Sequence, residues 1–150
     1  MQIETVMVVG AGQMGAGIAQ VCAQAGYQVH LNDMKEEIVE KGLEVIAENL
    51  DRQVQKERIS SEEKESILSR FIKSTDLKDA KNVDIVIEAA VENLKIKMQI
   101  FENLDQYAPA HAILATNTSS LPITEIAAAT NRPEKVIGMH FMNPVPVMKL

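Results

Sequence analysis

The run Gly10-Ala11-Gly12-Gln13-Met14-Gly15 stands where an apolar stretch, Ile3 to Val9, gives way to a helical pattern that begins at Gln13. A strand that feeds a glycine turn into a helix aims unpaired backbone N–H groups and the positive end of the helix dipole at one point, which suits a pyrophosphate. Gly10 permits the tight turn, Gly12 admits a phosphate to the backbone, and Gly15 lets the helix close on the strand. Gln13 and Met14 open the helix and belong to the same expected contact surface. Asp33 closes a second apolar run eighteen positions after Gly15. There its carboxylate can accept hydrogen bonds from an adenosine ribose and repel a 2′-phosphate, so the pattern selects NAD over NADP. A glycine turn without a ligand is the competing account.

Further polar residues fall where later apolar runs end. Glu88-Ala89-Ala90-Val91-Glu92 follows one, Asn117-Thr118-Ser119-Ser120 another, and His140 is followed by Phe141-Met142-Asn143-Pro144. In an open parallel sheet, ligands sit beyond the carboxyl ends of the strands. A histidine at such an end is a candidate acid/base, because imidazole titrates near neutral pH. The alternative is an imidazole that bonds its own loop.

These groups need elements to hold them. Apolar runs recur at Gln28 to Asn32, Phe71 to Ser74, Val83 to Glu88, Ile113 to Thr116 and Val136 to His140, mostly separated by helical patterns. Such alternation predicts an α/β fold, a Rossmann-like doubly wound and mainly parallel sheet with helices on both faces. The gap between the second and third runs exceeds a minimal crossover and reads as an inserted helical hairpin. In its first arm Val39, Leu43, Ile46, Leu50 and Val54 recur at helical spacing. Its second arm starts at a capping box, Ser60 with Glu63, and carries Ile67, Leu68 and Phe71 inward. A helix over Leu94 to Tyr107 should bury Ile96, Ile100, Phe101 and Leu104. A shorter one follows from Pro122 to Ala129, with Ser120 as its cap.

The 150 residues suffice for one domain, expected over 1–150. A net charge of −6 without a basic cluster argues against nucleic acid. No apolar run is long enough to span a bilayer, and a strand begins within three residues of Met1, so a cytoplasmic protein away from membranes is expected. Cys22, the single cysteine, is expected to be a small core residue, and no metal site is expected. His30 and His111 read as strand and loop residues.

The segments ATNTSSLPITEIA and GMHFMNPVPVMKL, with VIEAAVENLKIK and the glycine turn before them, resemble the NAD-dependent L-3-hydroxyacyl-CoA dehydrogenases, particularly the bacterial 3-hydroxybutyryl-CoA enzymes. The resemblance runs from Val6 to Leu150, and its Asn-Thr-Ser-Ser and His-Phe-x-Asn-Pro motifs are more specific than the glycines. It implies that Ser119 hydrogen-bonds the substrate's 3-oxygen while His140 takes the hydroxyl proton as C3 gives hydride to the nicotinamide. It also implies that Ala89, Asn117 and Asn143 line the nicotinamide site and that Glu92 and Lys97 contact its ribose. Arg52 and Lys56 match positions that hold coenzyme A phosphates. An exposed pair between Arg52 and Glu48 is the alternative there.

In that family an orienting carboxylate, a substrate-site asparagine and a helical second domain that makes the dimer would lie beyond Leu150. The expectation is therefore the NAD-binding half of such an enzyme, without the C-terminal helical domain. Without that domain, Phe141, Met142, Val145 and Val147 are expected to be exposed and to drive self-association. Two other functions fit the residues: a non-catalytic NAD(H)-binding module, and a two-domain hydroxy-acid dehydrogenase that does not use coenzyme A.

Overall fold

Along Val6 to Val9, alternate side chains enter opposite faces of a sheet, and both faces are apolar because both are covered by helices. The computed structural model describes residues 2–90, 92–118, 122–142 and 145–146. Within them the chain forms β1 (Thr5–Val9), α1 (Gln13–Gln24), β2 (Gln28–Asn32), α2 (Glu36–Gln55), α3 (Ser61–Leu68) and β3 (Phe71–Ser74). It continues with β4 (Ile85–Glu88), α4 (Leu94–Tyr107), β5 (Ile113–Thr116), α5 (Ile123–Ala128) and β6 (Val136–Gly138). The strands form one parallel sheet in the order β3-β2-β1-β4-β5-β6. Strand order therefore reverses between β1 and β4, the place where an open α/β sheet leaves a crevice.

Register aligns the carboxyl ends. Val9 lies opposite Asn32 and Glu88, Glu88 opposite Thr116, and Thr116 opposite Gly138. One core layer packs Val6, Val8, Ile18, Leu31, Ile46 and Leu50; the other packs Met7, Val86, Phe101, Leu104, Leu114 and Ile126. The helical hairpin is present as α2 and α3, and α3 carries the expected capping box, with Ser60 accepting from the Glu63 N–H at 3.0 Å.

Three expectations are corrected, and one connection is added. The crossover from β3 to β4 is a 3-10 turn, Leu77–Asn82, which Asp76 caps through the Lys78 N–H. Ile96 is 40% exposed and Lys97 takes its place on the buried stripe, because 97, 101 and 104 share one helix face and Glu88 neutralises the ammonium. His140 lies two residues beyond β6, not within it. Phe141 and Val145 are buried rather than exposed: they join the core beside α1, where Val145 packs against Gly17, which has no Cβ to hold it off. Met142 is exposed as expected, and Val147 lies outside the described residues.

Arg132 is a structural residue that the apolar pattern conceals. It is 9% exposed and binds Asp105 Oδ1 at 2.7 Å. The same guanidinium donates to the carbonyls of Asp105, Ala108, Pro109 and Ala112, closing the end of α4 onto the start of β5.

Candidate dinucleotide and substrate site

The glycine turn sits at the end of β1, where its backbone is set by close packing. Gly10 has φ +104°, and a Cβ there would come within 2.7 Å of the Ala89 carbonyl oxygen. A Cβ on Gly15 would fall 1.6 Å from the Gly10 carbonyl oxygen, so both positions exclude any side chain. Gly12 differs, since a Cβ there would meet nothing within 4 Å. Nothing in the fold demands glycine at that point, whereas a ligand lying against the backbone would. Gly12 is also the N-cap of α1, so no side chain caps the helix, and its first turn contains no acidic residue. That leaves the helix's positive end suited to an anion.

Asp33 is half-buried just beyond β2. One carboxylate oxygen accepts from the Ala11 N–H at 2.9 Å and the other from the Met34 N–H at 2.7 Å. The residue expected at the ribose is thus tied to the middle of the phosphate-binding turn. A cleft of about 710 Å³ opens beside the turn, between Ala11 to Gln13 and the α2 residues Ile38, Lys41 and Val45.

Across the strand-order reversal, Ala89 and Ala90 leave β4 against Gly10. Glu92 is exposed and accepts a hydrogen bond from the Thr118 hydroxyl. Lys97 is placed differently from the sequence expectation. It is fully buried, with Nζ 2.8 Å from both oxygens of an equally buried Glu88, so it is part of the interior rather than of an open ribose-binding surface. The sequence marks Glu88 only as one of the polar residues at the end of an apolar run and gives it no role; an acid ending a fully apolar strand, nine residues before a lysine on a buried helix face, is the signal for the pair.

Asn117 follows β5, and its carboxamide oxygen accepts from the Phe141 N–H at 3.0 Å. That bond brings the exposed His140 to the same sheet edge as the glycine turn. Ser119, Ser120 and Asn143 lie outside the described residues.

Arg52 and Lys56 lie on α2, away from the turn. With Gln20, Asn49, Gln53 and Arg58 they line a cleft of about 280 Å³ that Pro146 borders. Arg52 donates to Asn49 at 2.9 Å and forms no ion pair with Glu48. Three cations thus border one cleft in a chain of net charge −6.

Burial raises the Cys22 thiol to about 11, which fits an inert core residue. His111 pairs with Asp84 at 2.9 Å on the opposite edge of the sheet, and His30 stands within β2. Among the described residues no helix is long and apolar enough to cross a membrane, and no cluster of three His, Cys, Asp or Glu forms a metal site.

A reversed parallel sheet with a glycine turn, an uncapped helix N-terminus and an acid after β2 defines a Rossmann-type dinucleotide-binding domain. The family model for the 3-hydroxyacyl-CoA dehydrogenase NAD-binding domain matches residues 5–150, and the chain belongs to that family. It is 53% identical over its whole length to a probable 3-hydroxybutyryl-CoA dehydrogenase of Bacillus subtilis, covering 52% of that protein. It is 47% identical over 155 aligned positions to the human mitochondrial hydroxyacyl-coenzyme A dehydrogenase, covering 99% of this chain and 49% of the relative. The crystal structure of (S)-3-hydroxybutyryl-CoA dehydrogenase from Ralstonia eutropha superposes with a TM-score of 0.97 at 48% identity, over 99% of this chain and 53% of that one. The chain spans about half the length of the curated relatives it matches.

Proposed function

We propose that this chain is the cofactor-binding half of an enzyme that interconverts (S)-3-hydroxyacyl-CoA and 3-oxoacyl-CoA, with short acyl groups such as 3-hydroxybutyryl. The observation that carries the reading is the common edge at which β1, β4 and β5 give way to Gly10, Ala89 and Asn117, with Asn117 bonded to the residue after His140. Relatives named for 3-hydroxybutyryl-CoA support the substrate class.

The glycine turn and the start of α1 would hold the pyrophosphate of NAD, and Asp33 the adenosine ribose; Glu92, Ala89, Asn117 and Asn143 are placed by motif along the nicotinamide end. When bound, the nicotinamide accepts or supplies the hydride exchanged with C3 of the substrate. His140 takes the proton of the 3-hydroxyl as general base and returns it in the reverse direction. An alcohol carbon gives up hydride readily only as its oxygen loses the proton, so a base within reach lowers the barrier. Ser119, by its motif position, hydrogen-bonds the same oxygen. Arg52 and Lys56, joined by Arg58, would hold the coenzyme A phosphates.

Titration of this chain with NADH, followed by fluorescence, tests the cofactor site. A longer chain carrying a second domain, with and without His140→Asn, tests the chemistry: loss of acetoacetyl-CoA reduction with NADH binding retained identifies an enzyme. Turnover unchanged by that substitution would refute the role of His140. Competition by free coenzyme A that disappears in Arg52→Ala/Lys56→Ala supports acyl-CoA as substrate, and insensitivity would favour a hydroxy acid without coenzyme A. In full-length form we expect a dimer made through the second domain, in the cytoplasm.

A further inference from the structure

We propose that Glu88 and Lys97 are positioning residues for the dinucleotide, a buried ion pair that fixes the Ala89–Ala90 backbone as the wall of the glycine turn. Each carboxylate oxygen of Glu88 carries two partners. Oε1 accepts from Lys97 Nζ at 2.8 Å and from the Thr116 hydroxyl at 2.7 Å; Oε2 accepts from Lys97 Nζ at 2.8 Å and from the Ala90 N–H at 2.7 Å. The main chain on both sides is bonded as well. The Ala89 N–H donates to the Val9 carbonyl at 2.7 Å, and the Glu88 carbonyl accepts from the Asn117 N–H at 2.8 Å. The space a Gly10 Cβ would occupy is only 2.7 Å from the Ala89 carbonyl oxygen and 3.0 Å from the Ala90 nitrogen. The loop held by Glu88 is therefore in van der Waals contact with the turn proposed to carry the pyrophosphate.

Stability alone does not account for this pair. Two ions removed from water are costly, and apolar residues of similar volume commonly replace such a pair with no loss of stability. An apolar side chain at 88 would still join β4 to α4. It could not accept the Ala90 N–H, and the first residues after β4 would lose their anchor beside Gly10. Lys97, at 0% exposure, supplies the charge that keeps this carboxylate oriented inside the protein. A loop fixed before the ligand arrives costs no ordering entropy on binding.

This inference rests on the dinucleotide reading above, and its test has one arm that does not. In the wild-type chain without cofactor, the Ala90 amide should exchange its hydrogen about 100-fold more slowly than exposed loop amides; exchange at the free-loop rate overturns the proposal. The second arm uses Glu88→Met/Lys97→Met, which removes both charges and keeps the volume. We expect melting close to wild type, loss of protection at Ala90, and NADH binding weakened by about tenfold. A double variant with wild-type melting, protection and NADH affinity would overturn the proposal. Should the wild-type chain not bind NADH, the dinucleotide reading fails, and the claim that this pair positions the nucleotide falls with it. The exchange arm would then still show whether the pair fixes the loop.

Discussion

Asn117 accepts the Phe141 N–H at 3.0 Å through its carboxamide oxygen, so the end of β5 grips the residue that follows His140. The imidazole stands two residues beyond β6 and is exposed, so its position depends on this bond and on the burial of Phe141 beside α1. Asn117→Ala should lower stability by about 0.5–1.5 kcal/mol, the net worth of one such bond. It should also broaden the His140 ring signals in NMR spectra, while leaving those of His30, on the other side of the sheet, unchanged. Sharp, unshifted His140 resonances in the variant would show that Phe141 packing alone fixes the loop.

Arg132 joins four carbonyl groups and one carboxylate in a nearly closed environment. Removing the guanidinium leaves the Asp105 carboxylate with the Asn131 N–H alone and takes donors from the carbonyls at the end of α4. Arg132→Ala should therefore cost about 3–5 kcal/mol, the range for breaking a buried pair. Lysine, with its compact ammonium in place of a planar fork, should recover only part. Urea unfolding midpoints for the two variants measure both effects, and an Ala variant within 1 kcal/mol of wild type would contradict the account.

The glycine turn, Asp33 and the order of strands and helices were legible in the sequence because each depends on neighbours a few residues away: a periodicity, a turn that needs glycine, a cap three residues from its acceptor. Lys97 is not, because its partner Glu88 lies across a loop and a lysine on a buried stripe breaks the pattern by which stripes are recognised; apolar periodicity assigns Ile96 to the stripe instead. Arg132 is hidden for a related reason, its acceptors being main-chain carbonyls twenty to twenty-seven residues upstream, invisible to side-chain pattern. The burial of Val145 depends on the bare surface at Gly17, a fit between segments far apart in the chain.

Two groups make stability sensitive to acid. Burial pushes the His30 imidazole below its ordinary value, and its Nδ1 has no partner. The Glu4 N–H, then the His111 side chain and the Thr5 N–H, hold the Asp84 carboxyl below its usual range. In both cases the unfolded chain binds protons more readily than the folded one, so stability rises with pH across each window. The His30 contribution is complete above about pH 6.5 and the Asp84 contribution above about pH 3.9, each being lost as pH falls below that value. Unfolding midpoints should drop in two steps between pH 7.5 and pH 3. His30→Leu should remove the upper step and Asp84→Asn the lower; a curve unaltered by either substitution would assign the acid sensitivity to other groups.

Asp33 ties β2 to the glycine turn through Ala11 and is placed to meet the adenosine ribose. Its replacement by alanine removes a charged acceptor and also frees the Ala11 N–H, so the loss should exceed that of a neutral hydrogen bond, at about 1.5–3 kcal/mol in NADH affinity. Asp33→Asn separates the two parts, because its carboxamide oxygen still accepts from Ala11 while the negative charge is gone. That variant should bind NADH better than Asp33→Ala and should narrow the preference against NADPH, whose 2′-phosphate no longer meets a carboxylate. Fluorescence titration of the three proteins with both cofactors reads each effect, and NADH affinity unchanged in Asp33→Ala would place the ribose elsewhere.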